Sequence, residues 1–211
     1  MRISLLHTID GNRRVFDDAA TALNVGAIRH EVRADLREAV QQAGTFSPDM
    51  KARTKRCIVD LAAESDAVIV TCATLSPIVD EIEGKAIPVI RADKALAVAA
   101  GKADGKIVVL CALESTVEPN RRLFEAHVSE AGTSVDVIHV ADIWALYGGA
   151  DLPACFAAIA RAADEAYEAG AAVVAFAHPW MGPAADLVRA PQRPLHSAEV
   201  ALRAALSELS A

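Results

Sequence analysis

Two side chains able to move protons stand at matching places in the chain. Cys72 closes the apolar run Val68-Ile69-Val70-Thr71, and His178 closes Val174-Ala175-Phe176-Ala177. A thiol becomes reactive once its surroundings favour the thiolate, and an imidazole of ordinary pKa, ~6.5, takes or gives a proton near neutrality. Ala73-Thr74-Leu75-Ser76-Pro77 follows Cys72, with Asp80 and Glu81 just beyond, a pattern that predicts a helix with Pro77 in its first turn. Unpaired N–H groups at that helix start, with the hydroxyls of Thr74 and Ser76, would favour a thiolate and hold a carboxylate. On the other side Pro179 removes an N–H, and Trp180 and Met181 give His178 an apolar wall. Taken alone, a cysteine is more often a small buried hydrophobe and a histidine a hydrogen-bonded core residue. What sets this pair apart is its place in a repeat.

The second half of the chain shadows the first. Asn12-Arg13-Arg14-Val15-Phe16 recurs as Asn120-Arg121-Arg122-Leu123-Phe124, each after an apolar run. The segment from Val68 to Cys72, continuing to Pro77 and Asp80, is matched by Val174 to His178, Pro183 and Asp186. Pro88, Ala92, Ala95 and Leu96 are matched by Pro194, Ala198, Ala201 and Leu202. Matches in this order predict an internal duplication. Short apolar runs at 3–7, 27–32, 67–71, 87–90, 107–110, 135–140 and 172–177 read as parallel strands covered on both faces. Amphipathic stretches at 12–23, 50–64, 120–131 and 153–168 read as the helices between them. The expected fold is therefore α/β: two pseudo-symmetric parallel-sheet lobes, with the active site in the interlobe cleft. The first lobe is expected at residues 1–97, joined by the C-terminal helix 198–211, and the second at 98–197. Open parallel sheets bind ligands at the carboxyl ends of their strands, so the repeat predicts that Cys72 and His178 oppose each other.

Other strand ends supply His7 and Thr8, and Glu114-Ser115-Thr116, whose imidazole and hydroxyls suit a polar ligand, although such residues also serve plain turns and caps. Cys57, Cys111 and Cys155 are read as inert. His30, His127, His139 and His196 show no metal-ligand spacing, so no metal is expected. No glycine-rich nucleotide motif follows a strand, and Gly101-Lys102-Ala103-Asp104-Gly105 reads as a turn between the lobes. No cofactor is expected. Acyl-enzyme hydrolysis fits less well than proton transfer on two faces of one carbon.

These segments resemble the aspartate/glutamate/hydantoin racemase superfamily over most of the chain. The resemblance lies in Ile3 to Thr8, in Val68 to Leu75 with its Thr-Cys-Ala-Thr, in Leu113-Glu114-Ser115-Thr116-Val117-Glu118, and in Val173 to Met181. It implies two α/β lobes and two cysteines acting without a cofactor as acid and base on an acidic carbon. The first cysteine maps onto Cys72; the second position holds His178, a departure from the family pattern. Substrate contacts carry over to Ala73, Thr74 and Thr116, while Pro179 and Trp180 replace small polar residues. The implied activity is that of a racemase, epimerase or isomerase acting next to a carbonyl or carboxylate. The implied substrate is a bulky or less polar carboxylate, or a cyclic amide such as a hydantoin. Two alternatives stand: an arylmalonate-type decarboxylase or maleate-type isomerase using one cysteine, and a binding protein that has lost catalysis.

The 211 residues carry 21 Lys and Arg against 28 Asp and Glu, a net charge of −7. That balance lacks the basic footprint of a nucleic-acid binder. The longest apolar stretch, 169–181, is broken by His178 and too short to span a bilayer, and four scattered cysteines suit a reducing compartment. The expectation is a cytoplasmic protein whose partner is a small molecule rather than a membrane, with a homo-oligomer possible.

Overall fold

The computed structural model describes residues 1–128 and 133–210, so the end of the stretch expected as a helix to residue 131 lies outside the described residues. Its elements alternate strand and helix. In the first half, β1 (Ile3–His7), β2 (Ile28–Val32), β3 (Ala67–Val70) and β4 (Val89–Arg91) are joined through α1 (Asn12–Ala22), α2 (Ala34–Ala43) and α3 (Pro48–Ala62). After α4 (Ala92–Ala100), the second half repeats the scheme. It comprises β5 (Ile107–Cys111), α5 (Val117–Glu125), β6 (Val135–His139), α6 (Ile143–Gly148), α7 (Leu152–Glu168), β7 (Val173–Phe176), β8 (Leu195–His196) and α8 (Ser197–Leu209).

The two sheets have the same topology, β2-β1-β3-β4 and β6-β5-β7-β8, with every pairing parallel. Leu6 pairs with Val70 and Leu110 with Phe176, so the duplication read in the sequence extends to the register. The chain divides into two compact units, Met1–Ala95 with Ala198–Ala211, and Leu96–Ser197.

In the first unit the central strands are buried throughout. A parallel sheet needs cover on both faces. On one face Ile3, Leu5 and Ile69 pack against Val15, Phe16 and Ala19 of α1 and Ala198, Ala201 and Leu202 of α8. On the other, Leu6, Val68, Val70 and Cys72 pack against Leu36 and Val40 of α2 and Ile58 and Leu61 of α3. Local chemistry sets the helix starts. Ser47 accepts a hydrogen bond from the Met50 N–H (3.4 Å) ahead of Pro48, and Asp151 accepts one from the Ala154 N–H (3.3 Å) ahead of Pro153. Helix α2 stops at Gly44, whose φ of +64° glycine adopts without penalty.

The sequence reading missed α2, α4, α6 and the two-residue β8, and placed β4 two residues early. A larger correction concerns the segment after Cys72. Ser76–Glu81 is a six-residue 3₁₀ helix, as is the longer Pro179–Leu187 after His178. Pro77 sits in its first turn, but Asp80 and Glu81 close it rather than open it. A short 3₁₀ turn aligns few peptide dipoles, so the helix-start support expected for the thiolate is weak.

Candidate active site

In each unit the sequence-derived candidates gather at the C-terminal ends of the two central strands. His7 ends β1 and Thr8 follows it; Cys72, Ala73 and Thr74 follow the adjacent β3. In the second unit Thr116 follows β5, while His178 and Trp180 follow the adjacent β7. Cys72 stands two residues beyond Val70, and His178 two beyond Phe176, in strands of equivalent order.

Cys72 is buried at the end of an apolar cluster, against Leu75, Ile78 and Val79. Its carbonyl accepts from the N–H groups of Leu75 (3.0 Å) and Ser76 (2.8 Å), which bends the chain sharply after the thiol. Ala73 is exposed and Thr74 half-buried on that bend. Ser76, expected to help hold a carboxylate, is instead fully buried, and its hydroxyl donates toward the Val70 carbonyl at 3.5 Å. It braces the turn.

His7 is also corrected. It was expected to touch a ligand, yet its ring is 0% exposed and both nitrogens are engaged. Nδ1 lies 2.9 Å from the Thr71 hydroxyl and Nε2 lies 2.8 Å from His30 Nδ1; His30 Nε2 in turn meets Asp17 at 3.0 Å. Burial, then the neighbouring His30 and Arg13, push the His7 pKa down to about 3, so this imidazole is neutral at physiological pH. Thr71, His30 and Asp17 were missed as a group because no short motif links them. The pairing of β1 with β2, which sets Leu5 opposite His30, and its pairing with β3, which sets Leu6 opposite Val70, bring them together.

In the second unit His178 Nε2 is sealed from solvent and has no hydrogen-bond partner. Burial lowers its pKa to about 4, below the ordinary value expected from the sequence, so this ring too is neutral at pH 7. The imidazole stacks on Trp180, with centroids 5.8 Å apart and planes 9° apart. Trp180 stacks in turn on Tyr147 of α6 at 4.3 Å, and Trp144 joins the group at 5.9 Å. Trp180 was expected to line the site as an apolar wall. It is 2% exposed, with Tyr147 and His178 stacked against its ring, and its role here is to hold the imidazole. Trp144 and Tyr147 were not anticipated, because their helix was not. The Thr116 hydroxyl donates to the Leu113 carbonyl at 2.7 Å, and the Thr116 carbonyl accepts from Asn120 Nδ2 at 2.8 Å, fixing the turn into α5.

Among the described residues no group of three or more His, Cys, Asp or Glu is placed to hold a metal ion. All four cysteines are free thiols. No described helix is long and apolar enough to cross a membrane. What the arrangement offers chemically is a thiol and a neutral imidazole at equivalent strand ends.

No family model matches the sequence, and no curated protein matches it. Solved structures do. Allantoin racemase from Klebsiella pneumoniae superposes with a TM-score of 0.68 at 14% identity, covering 100% of this chain and 88% of that one. Maleate isomerase from Pseudomonas putida S16 gives 0.64 at 14% identity, covering 100% and 92%. Glutamate racemase from Thermus thermophilus gives 0.61 at 17%, covering 99% and 80%. Racemases and an isomerase thus share this architecture along essentially the whole chain, which carries the duplicated α/β fold of the aspartate/glutamate/hydantoin racemase superfamily.

Proposed function

We propose that this protein is a cofactor-independent racemase, epimerase or related isomerase that removes and returns a proton at a carbon next to a carbonyl or carboxylate. Cys72 and His178 are its catalytic pair. The observation that carries the reading is the equivalence of these two residues, each two positions beyond the matching central strand in a fold shared with racemases and an isomerase. A neutral imidazole is already in its proton-accepting form, and a thiol is a proton donor whose thiolate accepts in the reverse direction. Catalysis then needs no metal. Ala73 and Thr74 on the bend after Cys72, and Thr8 and Thr116 at the other strand ends, are the proposed contacts to the substrate's oxygens.

The substrate class proposed is a bulky or weakly polar carboxylate or a cyclic amide. What supports it is the aromatic group Trp144, Tyr147 and Trp180 packed behind His178, which gives that side of the imidazole an apolar surround. The test is deuterium incorporation by NMR in D₂O, with amino acids, hydantoins and substituted malonates offered to the wild type and to Cys72→Ala. Exchange that falls at least ~10²-fold in the variant supports the proposal. Exchange that survives Cys72→Ala defeats it, and efficient racemisation of aspartate defeats the substrate class.

A second reading is favoured by one observation, the enclosure of His178 Nε2. In it Cys72 works alone, as in a one-cysteine decarboxylase or cis–trans isomerase. His178→Ala then leaves the rate unchanged, and a malonate substrate releases CO₂.

A further inference from the structure

The duplication places the same two polar residues, four apart, beyond the first strand of each unit: Thr8 and Asn12 after β1, Thr116 and Asn120 after β5. In the second unit both serve the turn. The Thr116 hydroxyl donates to the Leu113 carbonyl at 2.7 Å, and Asn120 Nδ2 donates to the Thr116 carbonyl at 2.8 Å. Asn120 thus ties the first turn of α5 to the chain that enters it.

In the first unit neither bond is made, although Asn12 is only 2% exposed and Thr8 only 3%. Asn12 Oδ1 is sealed from solvent without a partner. Asn12 Nδ2 and the Thr8 hydroxyl are not sealed, and among the described residues neither has a hydrogen-bond partner. The turn into α1 is held by the backbone instead: the Asn12 N–H donates to the Ile9 carbonyl at 3.2 Å and the Arg13 N–H to the Asp10 carbonyl at 3.0 Å, with no side-chain cap. A side-chain amide has two donors and an acceptor, and one buried with none of them used is costly and rare in native interiors. Alanine would suit the helix better. The turn therefore gives no reason for an asparagine at this position, whereas its counterpart in the second unit has one.

The reason lies at the strand end. β1 and β3 are neighbouring central strands with Leu6 paired to Val70, and Thr8 and Cys72 each stand two residues beyond that pair. Parallel strands run about 4.8 Å apart, so the unused donors gather at the same sheet end as the thiol. We infer that Asn12 is a substrate-binding residue: Asn12 Nδ2–H and the Thr8 hydroxyl together donate to the carbonyl or carboxylate oxygen beside the carbon that loses its proton. The inference rests on the proton-transfer reading above and adds to it a residue whose equivalent in the second unit is structural. Removal of the proton sends the C–H electron pair toward that oxygen, and its return reverses this. Two neutral donors stabilise the charge that grows there without holding the resting substrate by an ion pair. The nearby cation, Arg13, is already paired with Asp10 at 2.9 Å.

The experiment compares Asn12→Ala, Asn12→Asp and Asn120→Ala in the full chain. In urea unfolding Asn120→Ala should lower the midpoint, because a bond to Thr116 is lost, while Asn12→Ala should leave it unchanged or raise it, because only an unpaired group is removed. A midpoint that falls as far for Asn12→Ala as for Asn120→Ala marks a structural asparagine and overturns the inference with no substrate needed. The second readout is ¹H–¹⁵N NMR of the wild type titrated with hydantoin and with phenylmalonate. The Asn12 side-chain amide should shift to saturation with at least one probe while that of Asn120 stays; a shift with neither overturns the inference. On a substrate found by Cys72-dependent exchange, Asn12→Ala should lower kcat about 10²-fold. Asn12→Asp, which keeps the shape but loses the donor and repels an anionic oxygen, should lower it further. An Asp variant as active as the wild type, beside intact Cys72 dependence, overturns the inference and leaves the proposed function standing. Exchange that survives Cys72→Ala overturns the function, and the unfolding and titration results then decide the role of Asn12.

Discussion

Replacing His178 with phenylalanine is expected to make the protein more stable in acid. The imidazole is held neutral by burial with a pKa of about 4, and its Nε2 is sealed without a partner. In the unfolded chain the same ring titrates near its ordinary 6.5, so below that pH the unfolded state takes up a proton that the folded state refuses. His178 therefore weighs against the fold progressively as pH falls from 6.5 toward 4. At ~1.4 kcal/mol per pH unit of displacement the full effect is about 3 kcal/mol, most of which has developed by pH 4.5. Phenylalanine keeps a planar ring to stack on Trp180 and removes both the titration and the orphaned nitrogen, whose burial alone costs ~1–3 kcal/mol. Urea unfolding at pH 7 and pH 4.5, followed by tryptophan fluorescence from Trp144 and Trp180, measures the difference. The variant should match or exceed the wild type at pH 7 and lose about 2–3 kcal/mol less on acidification. Parallel losses in the two proteins would refute the buried, neutral imidazole, and with it the assignment of His178 as a resting base.

Two further substitutions test the supports of the second unit. Asp164 of α7 accepts from the N–H groups of Arg189 (2.8 Å) and Ala190 (3.0 Å) in the chain following the His178 segment. Burial opposes its charge, but these bonds and Arg189 outweigh that and hold its pKa below the usual carboxylate value. Asp164→Ala should cost about 2–3 kcal/mol at pH 7, and less as pH falls through the folded pKa, where the carboxylate's contribution is lost; a loss under ~0.5 kcal/mol would show the connector is held otherwise. Gly101 closes α4, and a Cβ there would lie 2.0 Å from the His127 carbonyl oxygen. Gly101→Ala must push two backbone segments apart, so a large fall in melting temperature is expected, and an unchanged one would mean the approach is not as close as described.

The elements most legible in the sequence were those with the most uniform burial. Strands β1, β5 and β7 are apolar runs buried on both sides, and their matching spacing exposed the duplication that the shared sheet order bears out. Helix α2 escaped because Ala34–Ala43 buries only Leu36 and Val40, too few apolar positions to mark a period. The 3₁₀ segment after Cys72 was misread because Pro77 followed by acidic residues has the same look at the start of either helix type. Site residues divide the same way. Cys72 and His178 stood out through the repeat, whereas the partners of His7 lie on other strands and helices, and long-range pairing leaves no local signature.

The placement of unsatisfied polar atoms carries the argument about the site one step further. Among the described residues, buried side-chain atoms without a partner include Asn12 Oδ1, Arg37 Nε, His178 Nε2, Trp180 Nε1 and Ser197 Oγ. Asn12 opens α1 after β1, His178 and Trp180 follow β7, and Ser197 opens α8 directly after β8. These four stand beyond the carboxyl ends of strands, where parallel sheets receive their ligands, while Arg37 lies within α2. At ~1–3 kcal/mol each, such orphans are rare in native interiors, and the strand bodies and opposite sheet ends contain none of these four. Within the second unit His178 and Trp180 follow the same strand with their rings stacked, so two unsatisfied nitrogens fall on the residues of the proposed site itself. Trp180 Nε1–H can only donate, so what would satisfy it is an acceptor oxygen, which either of the proposed substrate types carries.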